Sequence, residues 1–413
     1  MPSLYATSAV AAGLVLPRFE GTLFVSVASS VSTSAAMTIY SAIASGMIAL
    51  TGIVFSLTFV MVQFSASAYS PRIALLMVRD PFLAHALGIF IATFVYAIAA
   101  LAWLDRIKAA HVPLVSFCLV VVLLLASMGM FIALIERVGT LQVNRMLTFI
   151  ADQGRKVITT TYSPLALPPA SEARKQTSKM SPTQTLVHHG QPRAVQTIDI
   201  AALLQVATAH DAVIEVVVSV GEVVAELTPI LHVFGAQDNI DQRSLTAAIE
   251  LGEQRTFAQD PKYAIRLLVD IGIKALSPAI NDPTTATQAL DEIGDLLVRL
   301  GLRSIEIGAY PDRHGKLRVV VPFPTWDDFL RMAFDEILHY GADSVQVMRR
   351  MRALVSDLIS VLPEERRPAL IYWRHRLQET ITRSFTDSDE QLDASVEDRQ
   401  GLGTTRRSPA ASG

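Results

Sequence analysis

The chain holds a single cysteine, Cys118, and that residue sits inside an apolar run. A disulfide framework and a cysteine-ligated metal site are therefore excluded. Charge is scarce as well. Only 18% of the 413 residues are Asp, Glu, Lys or Arg, and mean hydropathy is +0.38, unusual values for a soluble protein of this size. No basic excess is present, with a formal net charge of −3, so the composition gives no reason to expect nucleic acid as a partner. The P-loop, G-x-G-x-x-G after a strand, H-E-x-x-H and G-x-S-x-G are also missing. His188-His189 falls in a linker-like stretch with no third ligand close in sequence, so it is not read as a metal site. These absences point away from an enzyme and imply neither metal nor cofactor. The first apolar run lacks a basic lead, and Pro17-Arg18-Phe19 is no small-residue cleavage site, so no cleavable signal peptide is expected.

The charge that is present is unevenly spread. Residues 1–139 contain six of the 35 Lys/Arg and four of the 38 Asp/Glu, which leaves 29 basic and 34 acidic residues beyond them. A span needs roughly 20 mainly apolar residues to cross about 30 Å of hydrocarbon. Ile39–Phe64, Pro81–Leu104 and Pro113–Ile135 meet that requirement. Leu4–Leu16 is shorter and stops at Pro17-Arg18; counted as a span, it makes about four transmembrane helices. With four, one side of the bilayer holds Arg72, Arg79, Arg137, Arg145, Arg155 and Lys156, against Arg18, Arg106 and Lys108 on the other. The positive-inside rule then places everything after Glu136 in the cytoplasm of a multi-pass protein whose first partner is the lipid bilayer.

The second span has a patterned face. Ser41, Ser45, Ala49, Gly52, Ser56, Gln63, Ser67 and Ser70 recur at helical spacing, opposite Ile48, Val54, Leu57, Met61 and Val62. Such a face is either a small-residue packing seam or a polar stripe along a water-filled path in an oligomer. Used between copies, it implies self-association. Apolar character runs from about Ala35 to Tyr69, or roughly 50 Å of helix at 1.5 Å per residue. Ser70-Pro71 marks its end, and Asp80-Pro81 reads as an N-cap followed by proline at the first helical position.

The string FSLTFVMVQFSASAYSPR (Phe55–Arg72), RDPF at Arg79–Phe82 and LGIFIATFVYAIAAL (Leu87–Leu101) resemble the predicted-membrane-protein family called domain of unknown function 2254. LGEQRTFAQDPKYAIRLLVDIGIKALSPAINDPTTA (Leu251–Ala286) is similar to that family's A-L-S-P-x-x-N-D-P-x-T-A signature. The resemblance implies a bacterial inner-membrane protein and carries no activity with it.

Residues 140–194 read as a helical extension, Leu141–Ile158, that continues out of the membrane, followed by a Pro/Ser/Thr/Lys-rich linker at Ser163–Pro192. From residue 195 to 385 the pattern is that of an α+β cytosolic domain with a small β-module and several amphipathic helices. In the β-module, Gly221-Glu222-Val223-Val224 and Pro229-Ile230-Leu231 suggest a strand–turn–strand hairpin. Asp260-Pro261 and Asp282-Pro283 each predict an N-cap with proline at N1, starting helices over Lys262–Leu276 and Thr284–Leu300. On the first of these, Arg266, Asp270 and Lys274 form an i, i+4 ladder, either solvated or a ligand or partner contact. Ser277, Asn281, Asp282, Thr284 and Thr285 crowd one turn at a helix N-terminus, a ligand or partner candidate unless Asp282 simply caps the helix. GKLRVVVP (Gly315–Pro322) is a strand, and Trp326–Tyr340, Ser344–Leu362 and Glu364–Phe385 are further helices. Residues 386–413 are polar and read as a disordered tail. Two functional readings follow: an oligomeric channel- or transporter-like protein with a cytosolic regulatory domain, or a membrane-anchored ligand-sensing or scaffold protein.

Overall fold

The computed structural model describes residues 2–23, 32–68, 81–107, 112–139, 143–162, 181–305 and 307–403. They form two compact units, Met1–Gln142 and Val143–Gly413.

Among the described residues the first unit has four helices: α1 (Pro2–Leu23), α2 (Thr33–Ala68), α3 (Pro81–Ile107) and α4 (Leu114–Gly139). Three stretches among the described residues are long and apolar enough to cross a membrane: Thr33–Val60, Phe82–Arg106 and Leu114–Glu136. The expected first span does not reach that length. Helix α1 runs on past Pro17 to Leu23, but its apolar part, Ser3–Leu16, is too short. Helix α2 is continuous over 36 residues and does not break within its apolar run. Ser70-Pro71 and Asp80 fall outside the described residues.

Helix α3 lies against both α1 and α2, burying Ala86, Phe90, Tyr96, Ala97 and Ala100. Its closest approach to α1 runs through glycines. A Cβ on Gly88 would sit 2.5 Å from Cδ2 of Tyr5, and one on Gly13 would sit 2.6 Å from Cβ of Ala99. Helices gain no hydrophobic drive against lipid, so close backbone approach and polar contacts hold them. The polar contacts are Thr93 Oγ1 to Ser127 Oγ at 2.8 Å, Tyr96 Oη to Ser116 Oγ at 3.0 Å and Tyr5 Oη to His85 Nδ1 at 2.9 Å. Helix α2 contributes Ala36, Tyr40, Ile43, Ala44, Met47 and Val54 to this packing. Ser41, Ser45, Gly52, Ser56 and Gln63 are exposed instead, so the small polar face is not the seam of this chain. The reason is size: the bulky Tyr40, Met47 and Val54 fill the groove beside α3. The side chain of Ser67 falls outside the described residues.

The second unit opens with α5 (Val143–Thr161), which buries Leu147, Ile150, Val157 and Ile158. Helix α5 starts at Val143, after a stretch, 140–142, outside the described residues. It packs on α8 (Pro261–Ala275) and α9 (Pro283–Gly301), and is therefore part of the folded unit rather than an extension of it. Gly154 makes the fit possible, since a Cβ there would lie 2.9 Å from Ala264 and Leu296. Helices α10 (Trp326–Tyr340), α11 (Val345–Val361), α12 (Arg367–Ser384) and α13 (Ser388–Ala394) complete the helical layer.

The β-module adds β1 (Gln184–Val187), β2 (Arg193–Ile198), α6 (Ile200–Ala209), β3 (Val213–Val216), β4 (Val223–Val224), β5 (Pro229–Phe234), α7 (Gln242–Ala247), β6 (Ile249–Gly252), β7 (Ala309–Pro311) and β8 (Leu317–Val320). Five strands pair in the order β1-β5-β3-β8-β7, antiparallel except for β3 with β8, and three pair as β4-β2-β6. Val195, Leu203, Ile214, Leu231, Val233 and Val319 form the core.

Three expectations need correction here. β4 and β5 do not form a hairpin: β4 pairs with β2, and β5 pairs with β1 and β3. The chain turns between the two sheets at Leu227, whose φ is +63°. The linker stretch is partly structured, because Gln184–Val187 pairs with β5. The polar tail is ordered to Gly403: α13 docks, and the buried Asp398 carboxylate accepts the amides of Gln400, Gly401 and Gly403. Low aromatic content misled there, since backbone hydrogen bonding to one aspartate and Arg349 supplies what packing does not.

Candidate functional site

Both Asp-Pro pairs start helices. Asp260 Oδ1 accepts from Tyr263 N at 3.2 Å, and Asp282 Oδ1 from Thr285 N at 3.1 Å. The Asp282 cap draws in its whole turn. Thr285 Oγ1 donates to Asp282 Oδ2 at 2.6 Å, Ser277 Oγ to the Lys274 carbonyl at 2.7 Å, and the Asn281 amide to the Ser277 carbonyl at 2.9 Å. Asn281 takes φ of +48°, where a short polar side chain is tolerated. Gln346 Nε2 reaches Thr284 Oγ1 at 3.4 Å. Both Asp282 carboxylate oxygens are thus committed to Thr285 at the start of α9, while its backbone amide donates to the Ala275 carbonyl at the end of α8.

The ladder on α8 leads elsewhere. Arg266 donates from Nε to Asp270 at 2.7 Å and, through both terminal nitrogens, to Glu336 on α10 at 2.5 and 2.9 Å. It is a half-buried clamp between two helices and not a solvated stripe. The Glu336 carboxyl, held by the Arg266 hydrogen bonds, lies below its ordinary range. Lys274, two turns further on, makes no ion pair among the described residues.

Arg266 also lines an open cleft of about 560 Å³, with Lys262 from α8, Asp328, Arg331, Met332, Asp335 and Glu336 from α10, Phe323-Pro324 before α10, and Ser219 from the β-module. That volume lies in the range of small-molecule sites. The acids have partners. Glu336 holds Arg266, Asp335 lies 3.1 Å from Arg376, and Asp328 Oδ2 accepts from Thr325 N and Oγ1 at 2.9 and 2.8 Å. Lys262 and Arg331 make no ion pair among the described residues.

A narrow throat continues inward from the cleft, about 20 Å³, or enough for one water. It shares Ser219, Lys262, Phe323 and Pro324 with the cleft and is floored by Tyr162, Gln259 and Asp260. Tyr162 directly follows α5 with its ring edge-on to Phe323 at 6.2 Å, and its buried hydroxyl has no hydrogen-bond partner among the described residues. Asp260 is 1% exposed. Its Oδ2 lies 3.2 Å from Arg255 Nη2, an ion-pair distance, but off the hydrogen-bonding direction. Gly221, at φ +84°, closes over this pair, and a Cβ there would strike Asp260 Oδ2 and the Arg255 guanidinium. Burial pushes the Asp260 carboxyl above its ordinary value, with Arg255 and Lys262 pulling the other way without cancelling it. Burial, and then the Asp260 charge, push the Tyr162 phenol up as well.

None of the throat was read from the sequence as a site. Asp260 is visible in the sequence only as a cap, and Tyr162 falls beyond the helix expected over Leu141–Ile158. The available signal was Lys262 beside Arg266 at i, i+4 directly after a capping aspartate, which aims two cations along one face.

A family model described as Predicted membrane protein (DUF2254) matches residues 1–357. The chain belongs to this family. Among its relatives are uncharacterised proteins of Mycobacterium bovis (Mb1321c) and of Mycobacterium tuberculosis (Rv1290c and MT1328), each 26% identical over 322 residues. These matches cover 75% of this chain and 61% of each relative, so the chain spans about three fifths of their length. No solved structure matches. Cleft and throat lie wholly within the DUF2254 match, whereas α12 and α13 lie beyond it.

The raised Asp260 carboxyl gives this DUF2254 protein a pH signature. A carboxyl that holds its proton more tightly when folded stabilises fully below its unfolded value, near 3.9, and that contribution is lost as pH rises through the raised folded value. Asp260→Asn keeps a capping side chain and removes the titration. Thermal melts of the full chain in detergent should show wild type gaining on the variant as pH falls from neutral to about 4.5. A difference independent of pH defeats this account.

Proposed function

We propose that this membrane protein is a membrane-anchored sensor, in which the cleft of the second unit takes a small polar ligand. In this reading the cleft binds and does not turn over its ligand. One observation carries it: an open cleft of about 560 Å³ has two cations at its wall that make no ion pair among the described residues, and the throat beside it is lined by Tyr162, whose buried hydroxyl has no hydrogen-bond partner among them. Buried polar groups are ordinarily satisfied, so such a hydroxyl marks a place built for something else. The reading of this unit as cytoplasmic, below an inner membrane, is supported by the basic residues Arg145, Arg155 and Lys156 after the last span. The test is a thermal-shift screen of the detergent-solubilised chain against a diverse set of small polar metabolites. Met332→Trp fills the cleft and should abolish the stabilisation by true ligands. A screen in which no hit is lost in Met332→Trp sinks the reading.

A second reading, an oligomeric channel-like assembly with α1 as a fourth span, is favoured by the exposed face of α2. Ser41, Ser45, Gly52 and Ser56 are exposed in their own chain, which leaves them for a second copy or a shared axis. A strictly monomeric particle in detergent, or ion flux unchanged by Ser56→Leu with Gln63→Leu, removes it.

A further inference from the structure

The charges of the cleft are unequally partnered. Every acid at its wall is engaged: Glu336 by Arg266, Asp335 by Arg376, and Asp328 by the N-cap of α10. Two cations from two different helices, Lys262 of α8 and Arg331 of α10, make no ion pair among the described residues and line the same space. Asp328 acts on both through space, yet lies beyond ion-pair distance of either. Phe323, Pro324 and Met332 add an apolar wall, and the throat behind them has room for a group the size of water, beside the Tyr162 hydroxyl.

Resting on the sensor reading, we infer that the ligand is a small organic anion, a carboxylate or a phosphate ester. It is held by Lys262 and Arg331, with its apolar body against Phe323 and Met332. Arginine offers a fork to a carboxylate or phosphate, and lysine a point charge, so one anionic group can engage both. The apolar wall sets the second requirement: a bare inorganic anion satisfies the cations and leaves Phe323 and Met332 uncovered. The throat supplies a third. A hydroxyl or a retained water at the ligand's inner end pairs with the Tyr162 phenol, which stays protonated and donates.

The test is isothermal titration of the full chain in detergent with four probes: phenyl phosphate, benzoate, inorganic phosphate and benzylamine. Phenyl phosphate or benzoate should saturate at millimolar concentration or below, inorganic phosphate more weakly, and benzylamine not at all. Lys262→Gln and Arg331→Gln, each checked for an unchanged melting temperature, should weaken the organic anion roughly tenfold or more, while Lys274→Gln leaves it unaltered. Nanodiscs separate two sources of the same chemistry. If an anionic lipid headgroup occupies the site, phosphatidylglycerol discs will suppress phenyl phosphate binding relative to phosphatidylcholine discs, and equal binding assigns the site to soluble anions. Failure of both organic anions to saturate overturns the inference, as does an equal loss in Lys274→Gln. Benzylamine binding that is lost in Met332→Trp would overturn the anion class and leave the sensor reading standing. Metabolite hits that all survive Met332→Trp remove both.

Discussion

Arg155→Met is expected to destabilise the second unit by about 2–4 kcal/mol, because it strands carboxylates in a half-buried helix interface. Arg155 sits on α5 and holds Asp295 at 2.6 Å and Glu292 at 2.5 Å on α9, as well as Asp152 on its own helix at 2.7 Å. Burial works against its charge, but hydrogen bonds to Asp295 and Asp152, with the Glu292 and Asp295 charges, more than offset it and leave the guanidinium fixed as a cation. Methionine keeps the stem and its packing and removes only the charge. Asp295 retains Arg299 at 2.9 Å, whereas Glu292, 20% exposed, makes its only ion pair among the described residues with Arg155. The measurement is the shift in urea midpoint at constant m-value. Adding Glu292→Gln to Arg155→Met should recover part of the loss, since the stranded charge is then gone. No shift, or no recovery in the double variant, refutes the clamp. Tyr162 directly follows the same helix, so the single variant should also weaken any ligand that reaches the throat.

The second large effect is expected in the membrane unit. Gly88→Leu places a branched side chain where a Cβ alone would lie 2.5 Å from the Tyr5 ring. Neither helix has a way to give there, because Tyr5 is also held to His85. The cost should reach about 3 kcal/mol, the upper end of ordinary overpacking, together with loss of the Tyr5–His85 hydrogen bond. Unfolding in mixed micelles of increasing SDS content measures it. Gly52→Leu is the matched control, since nothing lies within 4 Å of a Cβ there. Equal destabilisation by the two changes would refute the α1–α3 packing. A Gly52→Leu effect seen only in assembled material would instead speak for the oligomeric reading.

How much of this was legible in the sequence depends on the range of the forces involved. Spans and helix starts are local. Twenty apolar residues declare a membrane helix, and Asp260-Pro261 and Asp282-Pro283 declare caps, because each signal is complete within a few residues. The β-module is less local. Val223–Val224 next to Pro229–Phe234 looked like a hairpin, yet the short strand finds more pairing in β2 than in its neighbour, and Leu227 turns the chain out of one sheet into another. The polar face of α2 was visible as a pattern, but not the fact that Tyr40, Met47 and Val54 occupy the groove in its place. The cleft could not be read at all. Its cations stand on α8 and α10, the throat beside it is lined by Tyr162 just after α5, and only the tertiary fold brings these elements together.

The parallel pairing of β3 with β8 has a consequence for biogenesis. β3 lies between β5 and β8, and Ile214 meets Val319 only after α8 and α9 have both been synthesised. While a ribosome is still making those helices, β3 is a bare edge carrying buried-type residues, Ile214 and Val216. The second unit therefore finishes late, and slowing translation across residues 217–316 should lengthen the time for which the nascent chain needs a chaperone.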